Sequence, residues 1–258
     1  FHNGFYRQGG KITRQYEKEY YGARDANGNF MEWTLEDTVL PAGLSSDVAR
    51  EAARALKGSP LRVEVYAEDG NPHPYTVTES NYQIKVLQQK SSNRHTVFFP
   101  TQNETLTFQY ERNPADPRIA HSFALKIDEF GNPTQSLAVV YPRRVETIHP
   151  EQKQLYCTLT EAKFINKPAE NDYYRVGVPH EQQLYELTGL AFLEKPFTKN
   201  DIEAALAAAL NIEFEALPDV SIIQKRLVQS AKTTFYNADL SGELPEGDIA
   251  HHGLSFKA

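Results

Sequence analysis

Between residues 60 and 144, apolar side chains recur at every second position, in run after run separated by turn signals, and this periodicity restricts the stretch to β-structure. Leu61, Val63, Val65 and Ala67 alternate with Arg62, Glu64 and Tyr66. That is the pattern of a half-buried strand, with the four apolar residues expected to face the core. Asp69 and Gly70 then supply a turn. The alternation resumes at Tyr75 and Val77, at Tyr82, Ile84 and Val86, at Leu106, Phe108 and Tyr110, and at Phe123, Leu125 and Ile127 against Leu137, Val139 and Tyr141. Residues 111–119 contain Pro114 and Pro117, so they cannot form a central strand and read as an ordered corner. Residues 128–133 read as a turn, in which Gly131 and Asn132 tolerate positive φ.

The remaining chain fits the same class. Its 14 Tyr and 14 Phe against one Trp favour pleated surfaces, and 40% hydrophobic residues suffice for a buried core. Residues 1–11 read as an entering strand and turn, 14–25 as strand or short helix, and 25–30 as a loop. A helix is expected over 46–57, capped by Ser45 or Ser46, with Val48, Ala52, Ala55 and Leu56 as its apolar stripe and Gly58 past its end. It should pack on the strands that begin at Leu61. A second helix is expected over 199–210, capped by Thr198 or Asn200, with Ile202, Ala205, Leu206, Ala209 and Leu210 buried. Further strands read at 155–165, at 173–179, at 182–190 and within 221–236. The polar stretch 145–154, with Pro150, is the best internal boundary. It divides the chain into a strand-rich segment 1–144 and a second strand-rich segment 145–258, each with one helix. The fold class is therefore mainly β: antiparallel strands forming a sandwich-like or curved shell segment, with two short helices.

Composition narrows function mainly by exclusion. A net charge of -7, with Lys and Arg interspersed among acids, gives no electrostatic footprint for nucleic acid. No apolar run approaches the roughly 20 residues of a membrane-crossing helix. The chain opens on Phe1 without a leader-like segment, as expected of a piece of something longer. Its one cysteine, Cys157, lies in an alternating run with no activating base nearby in sequence, so a buried inert thiol is expected. Asp25, Asn27, Asn29 and Glu36 match four positions of a calcium loop, but Phe30 stands where glycine must make the sharp turn, and a solvated loop is the better account. Glu17 with Glu19, and Glu213 with Glu215, form the Glu-x-Glu pair that ADP-ribosyltransferases use, yet the accompanying Ser-Thr-Ser type strand is missing. The eight histidines show no metal-binding spacing, and His251 and His252 would diverge if extended. No nucleophile elbow and no glycine-rich phosphate loop occur. The expected catalytic, cofactor-binding and metal-binding residues are none.

The blocks PAGLSSDVAREAARALKGSPLRVEVYAEDG (41–70), PYTVTESNYQIKVLQ (74–88), NRHTVFF (93–99), YERNPADPRIAHSFALKIDEFGNP (110–133) and YPRR (141–144) resemble the middle-to-C-terminal region of the B component of bacterial insecticidal toxin complexes, the Tc toxins. FHNGFY (1–6), LYELTGL (184–190) and LPEGDIAHHGL (244–254) are collinear with it. The resemblance implies a secreted toxin segment related to YD-repeat (Rhs) proteins. In that family B and C components form a hollow β shell around the C component's cytotoxic effector, and a propeller outside this chain docks B onto the pore-forming A component. The implied role is a wall without catalysis, partnered by the C component and its effector, with no cofactor, no nucleic acid and no membrane span. A fragment of such a wall would leave strand edges open to association. The residues alone leave a second reading open, a β-sandwich binding module for glycan or protein, which would need aromatic rings converging on one cleft.

Overall fold

The computed structural model describes residues 11–145 and 149–256; the expected entering strand at 1–11 lies almost wholly outside them. Eleven strands are described: β1 (Arg62–Val65), β2 (Thr76–Gln88), β3 (Val97–Gln109), β4 (Arg118–Ile127), β5 (Pro133–Val140), β6 (Tyr156–Lys167), β7 (Arg175–Thr188), β8 (Leu210–Ile212), β9 (Gln224–Lys232), β10 (Thr234–Phe235) and β11 (Ser255–Phe256). Helices α1 (Ser46–Ala55) and α2 (Lys199–Ala208) join them, with short 3-10 turns at Ile12–Arg14, Glu17–Glu19 and Pro150–Lys153. The fold is mainly β. Nine strands form one sheet in the order β1-β2-β3-β4-β5-β6-β7-β9-β8, and β10 pairs with β11. Pairings β1–β2, β2–β3, β3–β4, β6–β7 and β7–β9 are antiparallel, whereas β8 runs parallel to β9.

The chain divides into two compact units. Of the described residues, the first takes in 11–123, 140–145, 149–155 and 192–198, and the second takes in 124–139, 156–191 and 199–256.

In the first unit, cross-strand register sets one face of the sheet. Arg62 pairs with Glu79, Glu79 with Leu106 and Leu106 with His121, while Glu64 pairs with Val77, Val77 with Phe108 and Phe108 with Ile119. Directly paired residues share a face. Val77, Leu106, Phe108, Ile119 and Phe123 are buried on it. The expectation for β1 is therefore corrected. Its period is two, but Val63 and Val65 are 45% and 47% exposed, and Arg62 and Glu64 occupy the covered face. The charges go inward because Glu79 opposite them is itself buried and must be matched. Tyr75, expected inside, is also exposed.

Helix α1 begins as expected, with Ser45 Oγ accepting from the Val48 amide at 3.4 Å. Its buried stripe is Ala49, Ala52 and Ala53, followed by Leu56 just past the end, rather than one running through Val48 and Ala55. These small residues let the helix sit close to Tyr82 and Ile84 of β2, with Ile12, Leu61 and Phe98 completing the cluster. The 111–119 corner is ordered: Glu111 and Arg112 take positive φ, and buried Asp116 accepts from the amides of Arg144 and Val145 and from the Arg143 guanidinium. Burial raises the Asp116 carboxyl, but Arg143 and those amides hold its pKa below the ordinary value.

In the second unit, Leu137, Val139, Cys157, Leu159 and Leu187 are buried, and Ile165 packs with Phe235 and Ile249. The two strands expected at 173–179 and 182–190 are one continuous β7. Pro179 pairs with Phe164, and the next pair is Glu181 with Lys163, so His180 is the extra residue of a bulge that carries the strand past the proline. The end of α2 is also corrected. Leu210 is not helical; its amide donates to the Ile223 carbonyl at 3.0 Å, which starts β8 and leaves the side chain exposed. Gly189 has φ +77, and a Cβ there would lie 1.9 Å from the Ile222 carbonyl oxygen, so only glycine lets the turn after β7 pass so close to the segment leading into β9.

Candidate functional site

Polar side chains concentrate on the covered face of the first unit's sheet, in two connected groups. The first centres on Glu79, 1% exposed. It accepts from Arg14 Nη2 at 2.7 Å, Arg62 Nη1 at 3.1 Å and the Leu35 amide at 2.8 Å. Arg62 also donates through Nε to Glu64 at 2.6 Å and through Nη2 to the Tyr21 carbonyl at 2.8 Å, and it lies 4.6 Å from the centroid of the Tyr20 ring. Glu64 further accepts from the Tyr66 hydroxyl and the Tyr21 amide. Burial disfavours its charge, but Arg62 and these donors prevail and lower its pKa. Two guanidiniums and two carboxylates thus cancel, with the hydrogen-bonding capacity of Glu79 and Arg62 directed at named partners.

The second group links β2, β3 and β4. Glu104 accepts from Asn81 Nδ2 at 3.0 Å, Asn103 Nδ2 at 3.2 Å and His121 Nε2 at 3.2 Å. His121 Nδ1 faces the Tyr141 hydroxyl at 3.1 Å, and that hydroxyl accepts from the Phe197 amide at 2.9 Å. One proton assignment satisfies the chain: Tyr141 donates to Nδ1, and Nε2–H donates to Glu104. The imidazole is then neutral, consistent with burial lowering its pKa. A Glu-His pair resembles the acid–base half of a hydrolase triad. Here His121 is 1% exposed, its second nitrogen is held by a phenol, and it packs 3.9 Å from Phe123. No nucleophile can reach substrate from that position, so the pair serves to join three strands.

The residues singled out in the sequence are dispersed. Asp25 closes a short turn by accepting from the amides of Asn27 and Asn29 and from Asn29 Nδ2, so its oxygens are occupied by its own loop. Glu17 and Glu19 lie in a 3-10 turn, and Glu213 and Glu215 follow β8. Cys157 is buried, and burial pushes its thiol up to about 12. His251 and His252 sit in a turn with ring centroids 5.2 Å apart, not extended. Among the described residues no group of three His, Cys, Asp or Glu is placed to hold a metal. No described helix is long and apolar enough to cross a membrane.

Among the described residues, a depression opens on each unit. A cavity of about 420 Å³ in the first is bordered by Tyr16, Tyr20, Arg62 and Glu64, whose charged groups already bind each other. One of about 260 Å³ in the second is bordered by Glu161, Lys163 and Glu181, with Lys163 and Glu181 paired at 2.7 Å. Sequence reading missed the buried polar groups. Their signal was present as parity, since Glu79, Asn81, Glu104 and His121 stand at positions in register with buried apolar neighbours.

Residues 51–178 match the family described as insecticide toxin TcdB middle/C-terminal region. Those residues belong to the TcdB middle/C-terminal family. The match runs from residue 51 within α1 through β1 to β6 and the start of β7, and takes in Arg62, Glu64, Glu79, Asn81, Glu104 and His121 of the covered face, while Arg14, Leu35 and Phe197 lie outside it. A crystal structure of TcdB2-TccC3-Cdc42 is similar over 95% of this chain, with a TM-score of 0.66 and 24% identity, which shows a shared fold. The chain spans 12% of that chain's length. No curated protein matches.

Proposed function

We propose that this chain is a structural wall segment of a Tc toxin B component, contributing to a secreted β shell in which the C component's effector is enclosed. The family match over 51–178 carries the reading. The character of the sheet supports it. On the face of β1 to β4 opposite the polar groups, the paired rows are Val63, Thr78, Thr107 and Ala120; Val65, Thr76, Gln109 and Arg118; and Ser80, Thr105 and Ser122. Arg118 is the one charge in these rows, in a chain of which 24% is charged. Apart from buried Ser80, these rows present hydroxyls, amides and small aliphatics, which offer little that would grip a particular sequence, as suits a container. In this reading the chain performs no catalysis, contacts the C component and its effector, and meets the A component only through parts of the B component beyond these residues.

The test is photo-crosslinking in the full B component co-expressed with its C partner. A photoreactive residue at Thr107 samples the charge-poor face, and one at Glu213 samples exposed chain elsewhere. Crosslinks to the effector from either position support the wall. Their absence from both, with crosslinks to glycan or host protein instead, would favour a recognition module.

A further inference from the structure

The Glu17–Glu19 turn and the connection from α1 to β1 border the cavity of about 420 Å³ in the first unit. Tyr16, Glu19 and Tyr20 line it from the turn, and Ser59, Leu61 and Arg62 from the connection and the start of β1. Its size falls within the roughly 300–1,000 Å³ of pockets that hold a ligand. Most of its polar wall is already satisfied. Arg62 donates through Nε, Nη1 and Nη2 to Glu64, Glu79 and the Tyr21 carbonyl, and its guanidinium lies over the Tyr20 ring. Glu64, which completes the border, accepts from Arg62, the Tyr66 hydroxyl and the Tyr21 amide.

Two groups on the wall are left open. The Glu19 carboxylate is exposed and is bonded by none of the described residues. The Tyr16 ring is 40% exposed with no described ring or cation stacked on it, and its hydroxyl alone is held, by Gln15 Nε2 at 3.2 Å. Together they specify a ligand. A carboxylate accepts and cannot donate, so the ligand must donate. Arg62 and Glu64 offset one another, so the charge left on the wall is that of Glu19 and the ligand is a cation. The open face of Tyr16 and half-buried Leu61 call for an alkyl body behind that charge. Lysine and arginine side chains have this form, a cationic head on a stem that lies along apolar surface. A choline headgroup also brings a phosphate, which would face Glu19 and Glu64 with no free cation to receive it.

We infer that this cavity receives a basic side chain of a partner protein, with its ammonium or guanidinium on Glu19 and its stem against Tyr16 and Leu61. Arg62 and Glu64 stand on the covered face of the sheet, opposite the row of Val63, Thr78, Thr107 and Ala120. The cavity therefore lies on the side away from that row. In the wall proposed above this places the partner outside the container, and that assignment rests on the wall reading; the cation site itself does not.

The test is saturation-transfer NMR on the full-length B component, which detects weakly bound small molecules. The probes are Nα-acetyl-lysine methylamide, its arginine and norleucine counterparts, and phosphocholine. Binding of a basic probe through its stem protons is the expected result, weakened roughly tenfold by Glu19→Gln and by Tyr16→Ala and retained in Tyr16→Phe, which keeps the ring face. Added salt should weaken it further. No binding of either basic probe, binding unchanged in Glu19→Gln and Tyr16→Ala, or equal binding of norleucine or phosphocholine through these residues would overturn the inference. Unfolding followed by Trp33 should be unchanged in Glu19→Gln, whose carboxylate bonds nothing in the described chain, so a loss of binding there is a loss of the site and not of the fold. With the C partner present, effector crosslinks from a photoreactive residue at Ser59 would overturn the outside assignment. If the basic probes bind while Thr107 gives no effector crosslinks, the site stands and the wall falls. Effector crosslinks from Thr107 without probe binding give the reverse.

Discussion

Glu79→Gln removes one charge from the covered face of β2 while keeping the side chain's shape and one acceptor oxygen. Arg14 and Arg62, whose side chains are 12% and 6% exposed, lose the carboxylate they share. Arg62 keeps Glu64, but Arg14 keeps as a charged partner the more exposed Glu17 at 3.6 Å, beside the Leu35 carbonyl to which it donates at 3.0 Å. The amide nitrogen also turns a donor toward a guanidinium or the Leu35 amide, neither of which can accept. Breaking a buried ion pair by removing one partner costs about 3–5 kcal/mol. That is a large fraction of the roughly 5–15 kcal/mol by which domains are stable. Glu111→Gln is the control, since Glu111 pairs with Arg118 where both side chains are more than half exposed, and a change within about 0.5 kcal/mol is expected there. Urea unfolding followed by Trp33 fluorescence reads the correct unit, because this single tryptophan packs on Tyr141 and Phe192 within it. A loss below about 1 kcal/mol for Glu79→Gln, or one equal to the control, would refute the claim that the ion cluster is buried and mutually dependent.

Because burial lowers the pKa of His121, the unfolded chain binds its proton more readily than the folded one. Stability is then complete above the unfolded value near 6.5 and falls as pH drops below it, with a slope of up to about 1.4 kcal/mol per pH unit; denaturation midpoints at pH 7.5, 6 and 5 should show the decline, and His121→Gln should flatten it. Gly189→Ala places a methyl group against the Ile222 carbonyl at positive φ and should cost more than about 2 kcal/mol, read as a lowered melting temperature. Leu106→Ala, at a fully buried site between β2 and β4, should cost about 2–5 kcal/mol in the Trp33 assay. Cys157 should resist alkylation in native buffer and label only as its unit unfolds, followed by mass shift.

The strand content was legible because a period of two survives whatever lies on either face. Which face β1 buries was not legible, since Arg62 and Glu64 read as the wet side until Glu79 and Arg14, distant in sequence, supply their partners. Continuity of β7 through Pro179 was hidden for a related reason. A proline within a strand signals a break unless a bulge absorbs it, and the bulge exists only because β6 lies alongside. Ser45 and the first turn of α1 were legible as local chemistry, whereas the end of α2 depended on Leu210 finding the Ile223 carbonyl. The family resemblance was carried by ordered blocks from 41 to 144, most of which lie within the matched residues 51–178.

The most direct test of the wall reading is an electron cryomicroscopy map of the full B component bound to its C partner. The account predicts that the sheet from β1 to β9 bounds a closed cavity holding effector density. A sheet standing outside the cavity, with both faces in solvent, would contradict it.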